Sequence, residues 1–137
     1  MTPRRPKVDL EGLLVALVLA PRTFSRNRFF ALYQDASVRR VRRRAARVRG
    51  LIRQLLGEGR PKGEIIGEQV LEDGQVLLRL RVPELSFERT TALSALEAAT
   101  LRLALSRAGA GKATRADKDQ VEAALSRLGP ELRPSAE

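Results

Sequence analysis

A long pattern of apolar and polar residues runs from Val38 to Leu56. Its apolar positions recur at steps of three and four residues, and they are Val38, Val41, Ala45, Val48, Ile52 and Leu55. This spacing predicts one amphipathic helix whose apolar seam packs against another helix. The positions between hold eight arginines and no acid: Arg39, Arg40, Arg42, Arg43, Arg44, Arg47, Arg49 and Arg53. The predicted helix therefore needs a core on one side and an anion on the other.

Two further helices are predicted before it. Asp9 is a good N-cap for a helix over Leu10–Ala20, which is apolar nearly all round and should be buried. A buried strand is the alternative for so short an apolar run. Ser25 is a good N-cap for a second helix, Arg26–Gln34, and Asp35 or Ser37 then separates it from the arginine-rich helix.

Two helices are predicted near the C-terminus. Thr91 or Thr90 can cap a helix that runs to about Ala108, and its many Leu and Ala residues leave almost no polar face. This helix should be central in the fold or form half of a dimer interface. Thr114, with Asp117 three residues later, predicts the start of the last helix.

A β-hairpin is predicted between these two groups of helices. Glu64–Glu72 and Gln75–Val82 flank Asp73-Gly74, which is a strong signal for a two-residue turn. Leu85–Arg89 is a candidate third strand. The fold class is therefore α+β, with about five helices and a small antiparallel sheet.

The order of these elements resembles a winged helix-turn-helix. Ala31, Asp35 and Val41 have the spacing at which helix-turn-helix motifs usually show Ala, Gly and Val or Ile, although Asp35 replaces the glycine. The resemblance covers roughly residues 9–83. It implies that the arginine-rich helix faces the major groove or its phosphates and that the hairpin is the wing. The residues so placed would be Arg39, Arg40, Arg43 and Arg47 on the helix and Arg79 and Arg81 on the wing.

These patterns predict one structured domain with two short ends. Residues 1–8 should be a disordered basic arm, 9–128 a single α+β domain, and 129–137 a disordered tail. Within the domain, 9–83 would be the winged helix-turn-helix part and 84–128 a helical part that forms a homodimer.

The net charge of +10 is concentrated in one half of the chain. Residues 1–60 hold 15 Lys and Arg against 4 acids, whereas residues 61–137 hold 11 against 12. Such asymmetry predicts a surface for a polyanion, most simply the phosphates of double-stranded DNA. The alternatives are an adaptor or assembly subunit that docks on an acidic protein, a membrane surface, and a solvated face. The candidate binding residues are Arg39, Arg40, Arg42, Arg43, Arg44, Arg47, Arg49, Arg53, Arg79 and Arg81.

The chain contains no cysteine and no histidine, which excludes disulfides, imidazole catalysis and the usual zinc ligands. No nucleophile motif or carboxylate pair stands out, so we expect no catalytic residues, no metal site and no cofactor. The apolar run Leu13–Ala20 is too short to span a bilayer. We therefore expect a non-catalytic, cytoplasmic, nucleic-acid-binding protein, with transcription regulation as one such role.

Overall fold

The computed structural model describes residues 8–21, 35–57, 63–82 and 88–129. These residues form four helices and one three-stranded antiparallel sheet, so the predicted α+β class is confirmed. The helices are α1 (Leu10–Leu19), α2 (Ala36–Leu56), α3 (Ala95–Arg107) and α4 (Arg115–Ser126). The strands are β1 (Glu64–Val70), β2 (Val76–Arg81) and β3 (Arg89–Leu93).

Several predictions concern other parts of the chain. The second helix (26–34) and Ala31 of the helix-turn-helix pattern lie outside the described residues. So do residues 1–7 of the predicted arm and 130–137 of the predicted tail. Of the five predicted helices, four are therefore present in the described segments, and the winged-helix arrangement stays a prediction.

Helix α1 is the centre of the core and contacts α2, α3 and α4. Leu10–Leu19 is helical, so the alternative of a strand is wrong, and all residues from Gly12 to Val18 are buried as predicted. The Asp9 carboxylate accepts the Gly12 N–H at 2.8 Å and caps the first turn as predicted. Gly12 lies where α4 crosses, because a Cβ there would approach the Ala124 carbonyl oxygen to 2.5 Å.

The C-terminal helices pack against the rest of the chain. Helix α3 contacts α1, α2 and α4 and buries eight residues, so its apolar faces are covered within one protomer. This is the central position that its composition predicts. It also removes the reason for expecting these helices to form a dimer interface.

The N-cap of α3 differs from the prediction. The helix begins after Ser94, whose hydroxyl accepts the Glu97 N–H at 3.1 Å while the Glu97 carboxylate accepts the Ser94 N–H at 3.0 Å. Thr90 and Thr91 lie in β3, opposite Arg79 and Leu78 of β2. The expected Thr cap is wrong because β-branched threonine fits a strand here.

The sheet has the order β1-β2-β3, with β2 in the middle. Val76, Leu78 and Leu80 are buried on one face of β2, and Arg79 and Arg81 are exposed on the other, as the alternation predicts. The third strand is Arg89–Leu93, which overlaps the predicted Leu85–Arg89 at Arg89; residues 85–87 of that prediction lie outside the described residues.

The turn of the hairpin contains three residues, and the prediction of two is wrong. Leu71 and Gln75 form the closing pair, and the Gly74 N–H donates to the Leu71 carbonyl at 2.9 Å. Within the turn only Gly74 has a positive φ, of 84°, and no described residue other than glycine has one. A two-residue type I′ turn would need a positive φ at Asp73 as well, so the chain forms the longer turn.

Candidate nucleic-acid interface

Helix α2 is 21 residues long, and its apolar seam is buried against the same chain. The buried residues are Val38, Val41, Ala45, Val48, Leu51 and Leu55. Leu51 takes the place that the pattern assigns to Ile52, which is only half-buried. Leu55, one turn beyond Leu51, lies against Gly63, which immediately precedes β1.

Three arginines of α2 bind other parts of the fold. Arg47 donates to the Thr91 hydroxyl at 2.8 Å and to the Ala92 carbonyl at 2.9 Å, which joins α2 to β3. Arg49 donates to the Leu17 carbonyl at 3.0 Å, in the last turn of α1, where carbonyl groups lack partners within the helix. These two guanidinium groups therefore hold α2 between the sheet on one side and α1 on the other.

Arg44 is the third of these, and it contacts a carboxylate. Its Nη2 lies 3.4 Å from Oε1 of Glu97, whose side chain is only 7% exposed. The second carboxylate oxygen of Glu97 is buried and has no hydrogen-bond partner among the described residues. Removing Arg44 would leave this buried charge even less compensated.

Four other arginines of α2 are exposed: Arg39, Arg40, Arg43 and Arg53. Within the described segments none of these side chains has a hydrogen bond or an ion pair, and we refer to them as the unpaired arginines. Arg42 is exposed near them but makes an interaction of its own, so it is not included. The eight arginines predicted from one pattern thus divide into groups with different surroundings.

The unpaired arginines lie mainly on the side of α2 that faces away from the core. At about 100° per residue, Arg39 and Arg43 project roughly opposite the buried seam, and Arg53 lies within about 40° of Arg39. Ala46 and Gly50 lie between them on the same side. Arg40 lies at the edge of this exposed face, which we call the basic face of α2.

The hairpin arginines have different surroundings. Arg79 is 2.7 Å from Oε2 of Glu88, and Arg81 lies 3.6 Å from Oε1 of Glu88 and 3.8 Å from Glu64. The hydrogen bond from Arg79 lowers the pKa of Glu88, so this carboxylate stays ionised at neutral pH. Because both arginines have acidic partners, their positive charges are largely compensated within the fold.

A second ion-pair network was not predicted from the sequence. Arg102 of α3 contacts Asp117 through two nitrogens, at 3.0 and 2.9 Å, and Glu68 of β1 at 2.9 Å. Burial acts to raise the pKa of Asp117, but hydrogen bonds from Arg102 and Thr114 outweigh it and leave the pKa below its ordinary value. The only sequence signal was the Thr114-Asp117 capping box, which the structure confirms.

The described residues contain no cluster of acidic side chains arranged to hold a metal ion. In the same segments, no helix is both long and apolar enough to cross a membrane. No protein-family model, curated protein or solved structure matches this chain. The geometry and charge of α2 are therefore the features of this chain that bear on its function.

Proposed function

We propose that this chain is a non-catalytic nucleic-acid-binding protein that contacts phosphates through the basic face of α2. The observation that carries the proposal is the set of unpaired arginines, which lie on one helix without a carboxylate partner in the described residues. Guanidinium groups bind phosphate with two parallel hydrogen bonds, and double-stranded DNA offers phosphates at the required density.

Electrostatic repulsion within α2 supports the same proposal. Arginines three and four residues apart on a helix repel each other by a few tenths of a kcal/mol per pair. The pairs Arg39–Arg42, Arg39–Arg43 and Arg40–Arg43 have this spacing. An anionic partner that covers the basic face would remove this repulsion.

A role as a DNA-binding transcription regulator of the winged helix-turn-helix type is a finer proposal. It is favoured by the order of a basic helix followed directly by a hairpin. The acidic partners of Arg79 and Arg81 count against a wing that binds phosphate, so we assign the contacts to α2 alone.

The adaptor alternative needs a partner helix on the apolar seam of α2, and the seam is already covered by this chain. The alternative can then involve only an acidic protein surface that binds the unpaired arginines. We favour nucleic acid because four arginines along one helix match a regular row of phosphates without requiring a particular partner fold.

Binding of a short random-sequence DNA duplex at several salt concentrations tests the proposal. The variant R39Q/R40Q/R43Q removes three charges from the basic face. The matched control R107Q/R115Q/K118Q removes three exposed charges from α3 and α4. Fluorescence anisotropy of a labelled duplex gives the affinity of each protein.

We expect the logarithm of the binding constant to fall steeply with the logarithm of the salt concentration. Each phosphate contact contributes about 0.9 to the slope, so R39Q/R40Q/R43Q should reduce it by about 2.7, and the control should not change it. Equal losses in both variants would show that only net charge matters. Tighter binding to polyglutamate than to DNA would favour the acidic-protein alternative.

A further inference from the structure

The basic face of α2 carries hydrogen-bond donors and almost no acceptors. Arginine has five N–H donors and no acceptor, and Ala46 and Gly50 add no polar side-chain atom. This composition restricts which atoms of a nucleic acid the helix can contact.

The side-chain acceptors of α2 and of its N-cap are engaged in the fold or point away from the basic face. The Asp35 carboxylate accepts the Val38 N–H at 2.9 Å, where it caps the helix. Gln54 lies about 60° around the helix from Arg39, at the side of the basic face, and its amide oxygen accepts from Arg89 at 3.3 Å. Ser37 precedes Arg39 by two residues, so it lies about 200° around the helix from it.

Recognising adenine or cytosine in a base sequence requires a side-chain acceptor, whereas arginine alone can recognise only guanine. In the major groove, adenine presents an N–H donor beside an acceptor, and cytosine presents an N–H donor. Side chains with an available oxygen, such as Asn, Gln, Asp and Glu, recognise these groups. A surface of arginines alone can bind only acceptors, and phosphate oxygens are acceptors in every sequence.

We infer that α2 binds the phosphate backbone of duplex DNA without reading its base sequence. This inference rests on the proposed function and adds that the atoms recognised are the phosphate oxygens. From Arg39 to Arg53 the helix rises about 21 Å, at about 1.5 Å per residue. This length lets the unpaired arginines contact several phosphates along the duplex at once.

The test compares three duplexes of equal length, which contain only A·T pairs, only G·C pairs, or a random mixture. At one salt concentration we expect their dissociation constants to agree within about threefold. A single specific arginine–guanine contact would make the G·C duplex bind about tenfold tighter. A tenfold preference that R43Q abolishes would overturn the inference but leave the proposed function in place.

A second variant tests whether the helix lies against base edges. Ala46→Asn places one side chain with a donor and an acceptor at an exposed site on the basic face. If the helix follows the backbone, A46N should bind all three duplexes with the same ratios as the unmodified chain. A new preference of about tenfold for the A·T duplex would overturn the inference. Failure of the unmodified chain to bind any duplex would overturn the proposed function as well.

Discussion

The unpaired arginines should reduce the stability of the fold to which they belong. Five arginine pairs spaced three or four residues apart involve positions 39, 40 or 43. They are Arg39–Arg42, Arg39–Arg43, Arg40–Arg43, Arg40–Arg44 and Arg43–Arg47. At a few tenths of a kcal/mol each, R39Q/R40Q/R43Q should raise the free energy of unfolding by about 1–2 kcal/mol at low salt. Glutamine and arginine have similar helix propensities, so the gain is electrostatic.

Arg47 and Arg49 provide the comparison, because their guanidinium groups bind the fold. Arg47→Gln removes a charged donor from the Thr91 hydroxyl and the Ala92 carbonyl, and Arg49→Gln removes one from the Leu17 carbonyl. Hydrogen bonds to charged groups contribute about 1.5–3 kcal/mol, so each variant should lower the free energy of unfolding by that order.

Urea denaturation followed by circular dichroism, at low and at high salt, measures both effects. The gain in R39Q/R40Q/R43Q should shrink at high salt because exposed charges are screened. The losses in the Arg47 and Arg49 variants should persist. If the triple variant were less stable than the unmodified chain at low salt, these arginines would be stabilising the fold, and the case for an external anion would fail.

Two further predictions concern glycines and a buried ion pair. Gly50→Ala should stabilise the fold by about 1 kcal/mol, since a Cβ there meets nothing within 4 Å. Gly12→Ala should destabilise it by about 1–3 kcal/mol, because its Cβ would meet Ala124 O at 2.5 Å. If Gly50→Ala and Gly12→Ala changed the melting temperature equally and in the same direction, the close contact of Gly12 with Ala124 would be contradicted. Asp117→Asn should cost about 1.5–3 kcal/mol at neutral pH. Because the pKa of Asp117 is lowered in the folded state, its contribution is complete above the ordinary value of 3.8 and is lost as the pH falls through the folded pKa. The difference from the unmodified chain in acid titrations of stability should therefore shrink below about pH 4, and a constant difference would refute the assignment.

Local patterns predicted much of the fold because their causes are local. Asp9, Asp35 and Thr114 each cap a helix through atoms only three residues away. The apolar seam of α2 is set by the period of the helix. The cap of α3 is less certain from local pattern, because Ser94 and Glu97 form a readable capping box but Thr90 and Thr91 fit a cap as well. Only the pairing of β3 with β2 assigns the two threonines to a strand.

The division of the arginines could not be predicted in the same way. Arg47 and Thr91 are 44 residues apart in the chain, and Arg49 and Leu17 are 32 apart. Only the packing of α2 between the sheet and α1 determines which guanidinium groups reach these partners. The helical pattern predicts the same role for all eight arginines, and the tertiary structure distinguishes them.

The attachment of α2 on two sides has a consequence for the kinetics of association. Since Arg47 joins one side of α2 to β3 and Arg49 joins the other side to α1, the unpaired arginines are carried on a helix that is formed and oriented by the fold itself. Its ordering entropy is lost during folding and not during complex formation. Encounter with a polyanion should then be a rapid rigid-body event, without the coil-to-helix transition that unstructured basic segments undergo when they bind.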